Sequence, residues 1–160
     1  MPKIKLDKKD LEILRIIQAN YKKSIKEIAI KVSSPITTVY AKIKRMENLE
    51  IIKGYKATLD PKKLDRGTTV FILVKFLYVT PQSHETLSQR DIVKRISLFP
   101  EVQEAHIVSG DFDIIIKVKV KDVDEMGKFI TDKLRKVEGV ERTVSCVVFE
   151  TLKETSDIIL

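Results

Sequence analysis

With 160 residues, 43% of them hydrophobic, the chain can fill one large or two small packed domains, and no apolar run approaches the roughly 20 residues that span a membrane. Its formal charge of +7 is divided unevenly: residues 1–66 carry 17 Lys/Arg against 8 Asp/Glu, a balance of +9, while the remainder carries −2. A basic segment joined to a near-neutral one points to a polyanion-binding module attached to something else, and the single Cys146 excludes an internal disulfide.

The start, MPKIKLDKKDLEIL, offers no apolar signal core, so no secretory signal is expected and the cytoplasm is the expected compartment. Charged residues reach 33%, above the roughly 25% of an average domain, which leans toward a thermophilic source.

Residues 7–20 read as a first helix, with Asp7 as N-cap, Asp10 in the first turn, and Leu11, Leu14 and Ile17 as an apolar stripe that Ile13 widens. A second helix spans 24–32, opened by the capping box Ser24-x-x-Glu27, with Ile25, Ile28, Ala29 and Val32 on one side. Ser33-Ser34 makes a turn, and Ser34 followed by Pro35 reads as cap and first position of a third helix running to about residue 49. Its inward stripe is Ile36, Val39, Ile43 and Met46; Thr37, Thr38, Ala41, Lys42, Lys44 and Arg45 face outward.

That outward face carries the chemistry. Hydroxyls and a small alanine permit close approach to base edges, and Lys42, Lys44 and Arg45 can neutralise phosphates. Together with Ser34, these residues are the expected DNA contacts of a helix-turn-helix. Residues 51–59 read as extended chain, a wing, a linker strand or both, ended by Asp60-Pro61.

The second half contains a repeat. Strands are expected at 69–79, 102–109, 112–120 and 140–149, and helices at 86–97 and 123–137, with the helix starts about 37 residues apart. A doubled β-α-β unit implies a ferredoxin-like βαββαβ arrangement, so the fold class is α+β. Domain borders are expected at 1–60 for the head, 61–68 for a linker and 69–160 for the second domain. The strand at 69–79 is apolar on both faces: Val70, Ile72, Val74 and Phe76 on one, Phe71, Leu73 and Leu77 on the other. Helices cover one side only, so the pattern predicts a homodimer packed sheet to sheet.

Leu6-Asp7-x-x-Asp10, Ile28-Ala29, Val39, the run Lys42-Ile43-Lys44-Arg45-Met46-Glu47, Ile52-x-Gly54-Tyr55 and the hairpin Gly110-Asp111-Phe112-Asp113 together resemble the leucine-responsive/asparagine-responsive family of feast/famine transcription regulators. The chain departs from the family pattern at Pro35, where Ser is usual, at Lys42 for a frequent Arg, at Glu50 for a common Gly, and at Phe112 for a common Tyr. The resemblance implies a dimer with paired heads on double-stranded DNA, dimers associating into tetramers or octamers, and an amino-acid effector between C-terminal domains. Carried over by position, that effector site would use Tyr78, Gly110, Asp111, Asp113, Thr143 and Ser145.

Two alternatives stand beside this reading. One is an architectural DNA-binding protein without an effector. The other is a small enzyme using Asp111 and Asp113, with His84 in a polar loop and His106 on a strand. No His/Cys cluster has metal-ligand spacing and no Gly-rich phosphate loop occurs, so no catalytic residue, metal or other cofactor is expected. Cys146, between Val144 and Val148, reads as core.

Overall fold

A computed structural model of the chain describes residues 4–79 and 86–160. The loop containing His84 lies outside the described residues. The chain divides into two units, one reaching Thr58 and including Lys153–Leu160, the other Leu59–Leu152. The last eight residues, expected with the second domain, group with the first.

The first unit is three helices: α1 (Lys8–Ala19), α2 (Ile25–Lys31) and α3 (Ile36–Asn48). Reciprocal capping boxes open α1, through Asp7 and Asp10, and α2, through Ser24 and Glu27, each pair satisfying free N–H groups that helix starts otherwise leave unbonded. Ile13, Leu14, Ile28, Ala29, Val32, Val39, Ile43 and Met46 form its core, with Leu160 packed against them. Ile36, expected inside, is half exposed.

The second unit contains β1 (Thr68–Phe76), α4 (Gln89–Ser97), β2 (Val102–Ile107), β3 (Ile114–Val120), α5 (Val123–Lys128) and β4 (Val140–Val147). All pairings are antiparallel in the order β2-β3-β1-β4, the ferredoxin-like order. The second helix is less regular than its sequence suggests. After α5 the chain continues through a wide π turn, Phe129–Lys133, and a tight 3-10 turn, Leu134–Lys136. These turns still deliver Phe129, Ile130 and Leu134 to the core.

On one side of the sheet, Val70, Ile72, Val74, Phe76, Ile114, Ile116, Val118 and Val120 lie buried with Ile92 and Ile96 of α4 and the α5 extension. Burial of each such side chain contributes about 1.5–3 kcal/mol. On the other side, Leu73 sits between Ile115 and Val144, and Phe71 between Lys117 and Cys146. Phe71 is 38% exposed there, and Cys146 is exposed, correcting its expected place in the core. No helix among the described residues is long and apolar enough to cross a membrane.

Candidate nucleic-acid interface and ligand cleft

The turn between α2 and α3 is built by a Schellman closure. Ser33 takes a left-handed conformation (φ 47°), the Ser34 N–H donates to the Ala29 carbonyl at 3.0 Å, and the Ser33 N–H donates to Ile30 at 3.2 Å. The Lys9 ammonium from α1 then donates to the carbonyls of Val32 (3.1 Å) and Ser33 (3.0 Å) and to the Ser34 hydroxyl (2.5 Å). A cation at the carbonyl end of α2 suits the helix dipole as well.

Ser34 therefore does not cap α3. Pro35 occupies the cap position in an extended conformation with no side-chain bond, and its carbonyl accepts from Val39 N–H at 3.1 Å. The physical reason is that Ser34 closes the preceding turn, so its hydroxyl is used there. At the far end of α3 a second Schellman closure places Glu50 in the left-handed region (φ 55°), with Ile51 N–H on Met46 and Glu50 N–H on Glu47. Glu50 thus takes the backbone shape for which the family commonly supplies glycine.

Thr37, Thr38, Ala41, Lys42 and Arg45 line one open concavity of about 400 Å³ along α3, so the structure brings together five of the seven expected DNA contacts. Their charges are not free. Lys42 Nζ lies 2.5 Å from Asp7 Oδ2 and 2.9 Å from Asp10 Oδ1, while Arg45 Nη2 lies 3.3 Å from Asp10 Oδ2 and 3.2 Å from the Lys5 carbonyl. Lys44, outside the concavity, pairs with Glu47 at 2.7 Å. The Lys42 bond holds the Asp7 carboxyl below its ordinary value and raises Lys42 in return. Tyr55 donates its hydroxyl to Glu47 at 2.9 Å, and burial together with that carboxylate pushes its phenol up to about 12.

Residues 51–59 join no strand ladder, so the expected wing or linker strand does not form as a strand, and Tyr55 pins the segment to α3. Asp10, fully buried, was not foreseen as part of this face. Its place at the head of the 10, 13, 14, 17 spacing is the signal that marks it.

In the second unit, the β2–β3 hairpin closes with Val108 N–H on the Asp113 carbonyl at 2.9 Å, and Gly110 sits at φ 121°. Lys75, Asp111, Phe112, Glu141 and Arg142 line a cleft of about 430 Å³. The Arg142 guanidinium lies 5.9 Å from the centre of the Phe112 ring. Asp113 is differently employed. It is 6% exposed, accepts from Phe76 N–H at 3.2 Å and from the Tyr78 hydroxyl at 3.0 Å, and lies 3.6 Å from Lys75 Nζ. That hydrogen bond also raises the Tyr78 phenol.

Of the six expected effector residues, only Asp111 lines the cleft. Asp113 and Tyr78 are tied to each other beside it. Thr143 and Ser145 pair with Val74 and Ile72, which puts them on the helix-covered side of the sheet. Lys75, Phe112, Glu141 and Arg142 are the lining residues that sequence reasoning missed; Phe112 belongs to the hairpin itself, and only the strand register places the other three beside it. No group of three or more metal-ligating side chains occurs among the described residues.

Comparison with known proteins finds a match for each unit. Residues 69–158 match the Lrp/AsnC ligand binding domain, and residues 6–53 match a winged helix-turn-helix DNA-binding model. An uncharacterised HTH-type transcriptional regulator of Pyrococcus horikoshii is 38% identical over 154 residues, covering 96% of this chain and 99% of that protein. The leucine-responsive regulatory protein of Haemophilus influenzae is 34% identical over 155 residues, covering 97% and 90%. Among solved structures, an AsnC family transcriptional regulator from Agrobacterium tumefaciens superposes with a TM-score of 0.86 at 28% identity, covering 96% of this chain and 97% of that one. A transcriptional regulator from Neisseria meningitidis, solved as a complex with L-methionine, gives 0.88 at 24% identity, covering 97% of each chain.

Proposed function

The chain belongs to the Lrp/AsnC family of transcriptional regulators, and from that premise we propose that α3 reads double-stranded DNA through Thr37, Thr38, Ala41 and Arg45, as one of two heads in a homodimer. Its relatives regulate transcription, so DNA binding and not catalysis is its activity. The observation that supports the reading most is the shared concavity of those side chains on the open side of a three-helix head. Threonine hydroxyls and the Ala41 methyl suit base edges and a thymine methyl, and the Arg45 fork suits guanine or phosphate.

The dimer forms through the open sheet face around Phe71, Leu73, Ile115 and Val144, and dimers associate further into tetramers or octamers. Symmetric heads then meet half-sites about one helical turn apart on one face of the duplex. The protein works in the cytoplasm, where its DNA is.

A small amino acid is the effector, held at the hairpin cleft. The cleft offers two cations, Lys75 and Arg142, to a carboxylate, and two carboxylates, Asp111 and Glu141, to an ammonium. Its volume is in the range of ordinary small-molecule sites. The L-methionine bound to the Neisseria meningitidis protein supports this class of ligand.

Footprinting on DNA selected by the protein tests the DNA reading. Discrete protected half-sites are expected, and diffuse coverage would favour an architectural role. Thermal-shift screening of the amino acids tests the effector, because a ligand that binds only the folded form raises the melting temperature. A flat screen would contradict it.

A further inference from the structure

We propose that Asp7 and Asp10 of α1 are specificity-setting residues: an internal substitute for phosphate that holds Lys42 and Arg45 of the reading helix and weakens its grip on DNA of the wrong sequence. This rests on the reading of α3 as the DNA-contacting helix.

The Asp10 side chain is 1% exposed, an environment in which an unpaired carboxylate is very costly. It is saturated instead. Oδ2 accepts from the Asp7 N–H at 2.9 Å and from Arg45 at 3.3 Å, and Oδ1 accepts from Lys42 at 2.9 Å. Asp7, bound to the Asp10 N–H at 2.8 Å, supplies the second carboxylate on Lys42. Four groups from two helices thus form one network, and its cations are two of the residues that line the concavity.

Two consequences follow for recognition. Lys42, only 17% exposed and already neutralised twice over, has little left to offer a passing phosphate. Generic affinity for DNA comes almost wholly from cations that displace condensed counterions, so each such pairing subtracts from binding that carries no sequence information. Arg45, with 47% of its side chain exposed, keeps part of its guanidinium free while one nitrogen rests on a buried carboxylate. A fork held this way pays less entropy on meeting a base edge. Neither aspartate needs to touch DNA; both act through the cations they hold.

Asp7→Asn is the variant of choice, because asparagine caps a helix start about as well as aspartate and the substitution removes only the charge. Asp10→Asn is the second, stronger variant. Fluorescence anisotropy would follow binding to a random-sequence duplex and to a duplex selected by the wild-type protein from a randomised pool, across a salt series. Asp7→Asn, which leaves Lys42 on Asp10, is expected to bind the random duplex about 2–3-fold more tightly near 0.1 M salt, with a log–log salt slope steeper by roughly half of the 0.9 that one whole phosphate contact contributes. The selected duplex should gain less, so the ratio of the two affinities falls.

The same change made in a Lys42→Ala background should leave the slope as it was. An unchanged slope and ratio in folded Asp7→Asn, or an equal steepening without Lys42, would overturn the proposal, the latter by showing a simple net-charge effect. Failure of the underlying reading looks different: Arg45→Ala and Thr38→Ala would then bind both duplexes like the wild type.

Discussion

Leu73→Glu places a carboxylate in the middle of the open sheet face, where Leu73 lies between Ile115 and Val144 on the neighbouring strands. In a monomer the new side chain would point to water and leave the helix-side core intact, so the expected change in fold stability is within about 1 kcal/mol. In a sheet-to-sheet dimer it is buried. The nine residues of β1 give a face about 30 Å long, and four strands at about 4.8 Å spacing give a width of about 19 Å. That amounts to about 1,100 Å² over both protomers, near the lower bound for a specific interface. An uncompensated buried carboxylate costs at least about 3 kcal/mol, and twofold symmetry brings two of them. The penalty of about 6 kcal/mol corresponds to about four orders of magnitude in dissociation constant. Sedimentation equilibrium at low micromolar concentration should show a wild-type dimer, or a multiple of it, and a folded Leu73→Glu monomer with an unaltered circular dichroism spectrum. A wild-type monomer, or a variant that still pairs, would refute the assignment of this face.

Other expectations follow from single sites. Gly139 sits at φ 91°, and a Cβ there would lie 2.7 Å from Ile92 Cδ1 and 2.8 Å from Leu87 Cδ1, so Gly139→Ala should cost about 2–4 kcal/mol in chemical denaturation. Asp7, Glu27, Glu47 and Glu104 are all held below their ordinary values, by Lys42, Ser24, Lys44 and Lys117 respectively. The folded state therefore binds fewer protons than the unfolded one below about pH 4–5, so the melting temperature should be level above that window and fall as pH drops through it. Tyr55 is displaced upward, so its contribution is complete below about pH 10 and is lost as pH climbs toward about 12; Tyr55→Phe should delete an absorbance step there. If an amino acid raises the melting temperature of the wild type, Arg142→Ala should abolish the shift while leaving DNA binding in its absence intact; an unchanged shift would move the effector away from the hairpin cleft.

The helical head was legible because its signals are local. The Asp7 cap, the Ser24–Glu27 capping box and the Val39, Ile43 and Met46 spacing depend on neighbours three or four residues away, and they fall where the sequence places them. The βαββαβ order was legible from its repeat. What escaped depended on contacts far along the chain. Asp10 satisfies a capping box and also lies on the apolar stripe with Ile13 and Leu14; the first role concealed the second, and its cations sit 32 and 35 positions away. Ser34 looked like a cap because nothing in the local sequence shows that Lys9 and the α2 closure would claim it. Alternation correctly groups Cys146 with Val144, yet it cannot say which face of a sheet is covered. Thr143 and Ser145 share that ambiguity, and only the register with Val74 and Ile72 resolves it.

The outward face of α3 is proposed to read DNA sequence. The most direct test is to select preferred duplexes from a randomised pool with the wild type and with Thr38→Ala/Arg45→Ala, then to measure affinity for selected and random duplexes at fixed salt. The wild type should show a preference that largely collapses in the double variant, with selected binding falling far more than random binding. Equal discrimination by both proteins would contradict it and place the reading surface elsewhere.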